Sequence, residues 1–286
     1  MEGFPSKFID KRSQWIRVDA IRIRYIRKGR PGAQALVLLH DIGASLDMWT
    51  PNIDYFAKDF DVIALDFPGF GFSDKPAVRY SIHFQVLKLK RFLDQLSLDN
   101  IFLVGHSMGG AIAIHFAHLF ASRVKKIVLV CSAGLGKKIN ASYRLLAMPM
   151  SGMYSGLLSF TNPEIILKKC LFNQSFIPSD WYALYDHIFS QPGSIYAFLS
   201  QLKSFVTVFG QERSFLISTQ EKLSQLIMPT LIVWGKNDTI IPVSHAEFAQ
   251  NNIHQCECLF LDCCGHIPQL EASTMFNARL EATVWG

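Results

Sequence analysis

The sequence predicts an α/β domain built on a largely parallel sheet, and three observations carry that prediction. Short apolar runs recur along the chain, helix-like segments separate them, and half of the 286 residues are apolar, enough to cover both faces of a sheet. Runs that are apolar at every position, rather than at every second one, are what strands buried on both sides look like. The length sits at the upper end of one domain, so one main domain with an insertion is expected.

The elements follow in chain order. Residues 1–30 hold nine Lys and Arg against three Asp and Glu, a local +6, so the remainder of a chain with net charge +5 sums to −1. In AIRIRYIRKG, Arg22 and Arg24 alternate with Ile21, Ile23 and Tyr25, the pattern of a strand with one wet face. A solvated edge strand whose charges deter edge-to-edge pairing is the plain reading, and a docking patch for an acidic partner is the sharper one. Nucleic-acid binding is not expected, because nothing resembles a groove-reading module and the rest of the chain is slightly acidic. ALVLLH (35–40), DVIALD (61–66), IFLVGH (101–106), KKIVLVC (125–131), TLIVWG (230–235) and CECLFLD (256–262) read as strands, with helices around 81–97, 107–121, 244–252 and 269–283.

The interval 134–227 breaks this rhythm. It is rich in Phe, Tyr, Met and Leu, has helical spacing in LKKCLF and WYALYDHIF, and offers no obvious strand. It is expected to be a helical cap over the carboxyl edge of the sheet, where α/β folds place their sites, leaving residues 1–133 and 228–286 as the core. No apolar run approaches the ~18 residues needed to cross a bilayer. The start, MEGFPSKFIDKRSQWIR, lacks the apolar centre of a secretory signal, so a soluble, cytoplasmic protein is expected. Cysteines 131, 170, 256, 258, 263 and 264 lie mostly in apparent strands, and reduced thiols are expected.

The strongest chemical signal is IFLVGHSMGGAIAIHFA, in which Gly105, Ser107 and Gly109 form Gly-x-Ser-x-Gly between an apolar strand and a plausible helix. The spacing has a mechanical reason. A nucleophile presented on a very sharp strand-to-helix turn has its hydroxyl pushed clear of the sheet, and the residues two positions to either side have no room for side chains. The following helix also aims its first amides at the site, where they favour developing negative charge.

A serine hydroxyl is a poor nucleophile without a base and a group to orient that base. TLIVWGKNDTIIP places Asp238 in the loop after one later strand, and CECLFLDCCGHIPQLE places His266 after the next, so Ser107, Asp238 and His266 run in the order Ser, Asp, His.

On LLHDIGASLDMW, DFPGFGFSDKP, VGHSMGG, WGKNDTIIP and GHIPQLE the chain resembles the α/β-hydrolase superfamily over roughly residues 15–280. Within it, the resemblance is to carboxylesterases, the pimeloyl-carrier methyl esterase of biotin synthesis, and the carbon–carbon hydrolases that open meta-cleavage products. Epoxide hydrolases and haloalkane dehalogenases are similar but carry aspartate as nucleophile, and Ser107 argues against both. The resemblance implies an oxyanion hole made by the backbone N–H groups of Met108 and Ile42. Family members usually have Gly after the histidine of HDIGAS, whereas this chain has Asp41. Aspartate tolerates unusual backbone angles better than most residues, but a carboxylate beside the hole would oppose the oxyanion unless it points away or is paired.

Other residues have structural readings. Cys256 and Cys258 are two apart on a strand and Cys263 and Cys264 are adjacent, a poor match to zinc-ligand spacing, so the thiols are expected to fill the core beside His266. His106 is expected to support the elbow, Asp66 to bond backbone in its Pro/Gly turn, and His115 and His118 to pack on a helix face. Asp262 lies too late to be the acid. Some of Phe172, Phe176, Trp181, Tyr182, Phe189 and Phe198 should line an apolar pocket above Ser107. The expected reaction is acyl transfer to water through Ser107, His266 and Asp238, on a small-molecule ester with an apolar acyl part, free or carrier-bound, with no metal or organic cofactor. A carbon–carbon hydrolase with the same triad and a non-catalytic receptor on the same fold are the alternatives.

Overall fold

The computed structural model describes residues 8–30, 32–148 and 163–285. Strands β1 (Gln14–Val18) and β2 (Ile21–Gly29) form a hairpin whose two turn residues, Asp19 and Ala20, both take positive φ, the twist that a two-residue hairpin turn requires. Then follow β3 (Ala35–Leu39), α1 (Thr50–Phe56), β4 (Asp61–Leu65), α2 (Ile82–Gln95), β5 (Ile101–His106), α3 (Met108–Leu119) and β6 (Val124–Val130). After a helical interval come β9 (Thr230–Gly235), α9 (Ser244–Gln250), β10 (Cys256–Leu261), α10 (Pro268–Glu271) and α11 (Ser273–Trp285). The eight strands order as β1-β2-β4-β3-β5-β6-β9-β10, with β1 and β2 antiparallel to their neighbours and the rest parallel.

The parallel strands bury every residue of ALVLL, DVIAL, IFLVGH and TLIVWG, as continuous apolar runs demand. Helix α2 starts where Ser81 Oγ accepts the Phe84 N–H at 3.1 Å and turns Ile82, Val86, Leu89 and Phe92 inward. Helix α3 is apolar nearly all round, and Met108 to Ile114 are buried without interruption. It is therefore a core helix rather than a surface one.

The interval between β6 and β9 carries α4 (Ala141–Leu146), α5 (Pro163–Cys170), α6 (Trp181–Ser190), α7 (Ser194–Lys203) and α8 (Arg213–Leu223); residues 149–162 of it lie outside the described residues. Contrary to the expectation of no strands, β7 (Val206–Thr207) pairs antiparallel with β8 (Gly210–Gln211). A two-residue ladder is too short to show any apolar periodicity. The last helix, α8, lies against α3, where His115 Nε2 meets Thr219 Oγ1 at 2.9 Å.

Two further expectations are corrected. Strand β2 is not the sheet edge, since β1 covers it, and Arg24 is fully buried rather than wet. Its guanidinium donates to Asp47 Oδ2 and Oδ1 at 2.7 and 2.8 Å, to Asp66 Oδ2 at 3.3 Å and to Ser13 Oγ at 2.9 Å, and it lies over the Phe72 ring. Alternation shows that residues share a face; it does not show whether carboxylates from elsewhere neutralise that face. The thiols are also not all core filling, because β10 is an edge strand: Cys256 and Cys258 are half-buried, Cys263 is exposed and Cys264 is buried, all four as free thiols.

Candidate active site

Ser107 joins β5 to α3 with φ 51° and ψ −111°, a region that a residue with a Cβ enters only when its surroundings force it. Those surroundings are glycines. A Cβ on Gly105 would meet the Gly109 carbonyl oxygen at 2.3 Å, one on Gly109 the Leu39 carbonyl oxygen at 2.5 Å, and one on Gly110 the Ser132 Oγ at 2.4 Å. The turn is closed by Ser107 N–H donating to the Val130 carbonyl at 2.8 Å, so the serine sits at the carboxyl edge of the sheet, at the head of α3.

Asp238 and His266 arrive there from the ends of β9 and β10. The Ile240 and Ile241 amides donate to Asp238 Oδ1 at 2.8 and 3.0 Å, which leaves Oδ2 to accept from His266 Nδ1 at 2.7 Å. Because Nδ1 donates to a carboxylate, Nε2 is the nitrogen turned toward the site. The His266 backbone is clamped as well: its N–H donates to the Cys170 carbonyl at 2.6 Å, and its carbonyl accepts from His106 Nε2 at 2.6 Å. Burial pushes His106 well below its ordinary value, with His266 adding to the effect, so His106 supports the loop as a neutral ring. For His266 burial works in the same direction, but the charge and hydrogen bond of Asp238, then the charges of Asp41 and Glu271, outweigh it and hold the pKa above its ordinary 6.5.

Ile42 and Met108 also converge, and what they hold is a side chain. Their N–H groups donate to Asp41 Oδ1 at 2.6 and 3.4 Å. Asp41 does not point away, and among the described residues its carboxylate finds no partner outside the site. Its carboxylate lies between the two amides, and its Oδ2 is 3.8 Å from His266 Nε2. Among the described residues Nε2 has no hydrogen-bond partner, so Ser107 and His266 are not linked to each other. Burial raises the Asp41 pKa, against the opposing pull of His266, Ser107 and the two amides.

Glu271 was not singled out from the sequence. It ends GHIPQLE, and its carboxylate accepts N–H groups from Gly265 at 2.8 Å, Phe172 at 2.7 Å and Asn173 at 3.0 Å, tying the His266 loop to the segment after α5. Nothing local announces this, since two of the donors lie about a hundred positions away. Cys131, Asp238 and His266 are the one group among the described residues whose donor atoms lie together, all within 4.8 Å. His266 Nδ1 and Asp238 Oδ2 are already committed to each other, and Cys131 is a buried thiol, so this group does not fit a cation.

Beside Asp41 and His106 a cavity of about 30 Å³ is lined also by Tyr143, Cys170, Tyr185, Phe189 and Phe198 among others. It has room for about one water molecule. Of the aromatic residues singled out from the sequence, Phe189 and Phe198 line it, Trp181 is buried, and Phe172 and Phe176 are exposed. Asp66 is structural: it accepts the Leu46 and Phe72 amides at 2.7 and 2.8 Å. Asp262 pairs with Lys236 at 2.8 Å on the surface. His115 is taken up by Thr219, and His118 is half-buried.

The sequence profile of the alpha/beta hydrolase fold family matches residues 34–273. The dihydrolipoyllysine-residue acetyltransferase component of the acetoin cleaving system of Cupriavidus necator is 30% identical over 277 residues, covering 96% of this chain and 69% of that protein. A monoacylglycerol lipase of Xenopus laevis is 28% identical over 257 residues, covering 86% of this chain and 74% of the lipase. The solved structure of the 2-hydroxy-6-oxo-6-phenylhexa-2,4-dienoate hydrolase from Rhodococcus sp. strain RHA1 superposes with a TM-score of 0.81 at 21% identity, over 96% of this chain and 98% of that one; at that identity the likeness concerns the fold.

Proposed function

The chain belongs to the alpha/beta hydrolase fold family, and from that premise we propose that it is a serine hydrolase acting by acyl transfer to water on carboxylic esters with an apolar acyl group. One observation carries the reading: Ser107 on its strained elbow, the Asp238–His266 pair at 2.7 Å and the Ile42 and Met108 amides that converge on Asp41 stand together beside a largely apolar cavity.

In this reading Ser107 Oγ attacks the carbonyl carbon and His266 Nε2 takes its proton. Asp238 holds the ring in the required tautomer and stabilises the imidazolium. The Ile42 and Met108 amides hold the oxyanion, His266 returns the proton to the leaving alkoxide, and a water repeats the sequence to release the acid. The interval 134–227 serves as the cap, with Phe189, Phe198 and Leu167 contacting the acyl chain. The lipase relative supports an ester substrate. A carbon–carbon hydrolase would want a cation to hold its substrate's carboxylate, and among the described residues no Lys or Arg lines the cavity.

The test is hydrolysis of p-nitrophenyl esters of increasing acyl length by the native chain and by Ser107→Ala. Activity confined to the native chain supports the reading, and its chain-length optimum sizes the pocket. A folded protein inactive on every ester sinks it.

A further inference from the structure

A carboxylate inside an oxyanion hole is the feature of this site that ester hydrolysis does not use. Asp41 Oδ1 takes the two amides at 2.6 and 3.4 Å, while Oδ2 lies 3.8 Å from His266 Nε2. Its two oxygens thus stand where the carboxyl oxygens of a bound acid product would stand: one in the hole, one beside the base. We infer that Asp41 is an internal occupant of the hole, a side chain that competes with the substrate's carbonyl oxygen for the Ile42 and Met108 amides and keeps nucleophile and base apart, so that turnover begins by expelling it. This regulation deepens the serine-hydrolase reading and rests on it.

Two observations independent of the amide bonds agree, and so does the electrostatics. His266 Nε2 is without a hydrogen-bond partner among the described residues, so the proton path from nucleophile to base is interrupted. The cavity of about 30 Å³ that Asp41 helps to line has no room for an acyl chain. An anion here also opposes the chemistry directly, because the negative charge of the tetrahedral intermediate would develop against it in a buried site.

The charge acts on the base as well. Asp41 is faced from the core by His266, Ser107 and His40, with His106 behind them, and from the cap by Tyr143, Cys170 and Tyr185. Among these His266 is the group whose protonated form Asp41 stabilises at the working end of the triad. Asp238 and Asp41 flank its two ring nitrogens, and a doubly flanked imidazole holds a proton where a catalytic base must be empty. Expelling Asp41 therefore frees the amides and lowers the proton affinity of His266 in one movement.

The experiment measures the rate of Ser107 labelling by a fluorophosphonate probe, and kcat/KM on p-nitrophenyl acetate, between pH 5 and 10 (roughly the range in which histidine and a raised carboxyl titrate). It compares the native chain, Asp41→Gly and Asp41→Asn, with Ser107→Ala as the blank. Asn keeps the shape and an acceptor oxygen but drops the charge, and it decides the matter if the glycine variant does not fold. Both variants should label at least about tenfold faster than the native chain, and the acid limb of Asp41→Asn should move to lower pH, which loss of packing alone would not produce. Native labelling as fast as that of the folded variants, or an unmoved acid limb, overturns the inference while leaving the serine-hydrolase reading intact. No labelling of any chain at Ser107 overturns both.

Discussion

At the scale of single residues the site is a set of fixed tautomers and charges. Asp238 is held by two amides and holds His266 in turn, so Asp238→Asn should leave the fold unchanged and lower kcat by about 10⁴-fold, read from ester hydrolysis at matched protein concentration. The pH profile follows from His266. In the proposed mechanism its neutral form is the base, and its pKa is held above 6.5 by the neighbouring carboxylates despite burial. The rate should therefore fall with falling pH through an inflection above that value. An inflection well below it would show that the carboxylates do not act on the ring as described. The order Ser, Asp, His was legible in the sequence because each residue follows a recognisable strand. The direction of the Asp41 carboxylate was not, because it depends on amides 66 positions apart, at 42 and 108.

At the scale of elements, close approach explains most of what is rigid. Helix α3 enters the site under β3, and a methyl group on Gly109 would press on the Leu39 carbonyl at 2.5 Å. Backbone cannot yield as a side chain can, so Gly109→Ala should cost about 1–3 kcal/mol or more, seen as a lower urea midpoint with unchanged slope. The segment after α5 is joined to the His266 loop by Glu271, whose carboxylate serves three amides. Glu271→Ala should cost about 2 kcal/mol and speed hydrogen exchange at Phe172 and Asn173; unchanged exchange at those two amides would mean the tie is not what orders them. Helix and strand positions were legible because their signals lie within a few residues, as in Ser81 at the start of α2. The β7–β8 hairpin was not, because two residues per strand carry no pattern.

At the scale of the whole molecule, the Arg24 cluster joins the N-terminal hairpin, the β3–α1 connection through Asp47 and the end of β4 through Asp66. Removing the cation would leave two carboxylates buried without it. Arg24→Met should therefore destabilise by about 3–5 kcal/mol, measured by thermal unfolding, and a loss under about 1 kcal/mol would show that water reaches the cluster. What the sequence by itself determined is the periodic and the local: which runs are strands, that both sheet faces are covered, and that a serine stands on a turn tolerating only glycine around it. Those follow from hydrophobic period and from steric limits within a few residues. What only the tertiary structure decided is the fate of its charges: that Arg24 is buried among carboxylates, that Glu271 ties the His266 loop to the segment after α5, and that the Asp41 carboxylate takes the Ile42 and Met108 amides. Electrostatic pairing is settled by groups distant in the chain and close in space, and a one-dimensional pattern does not contain that distance.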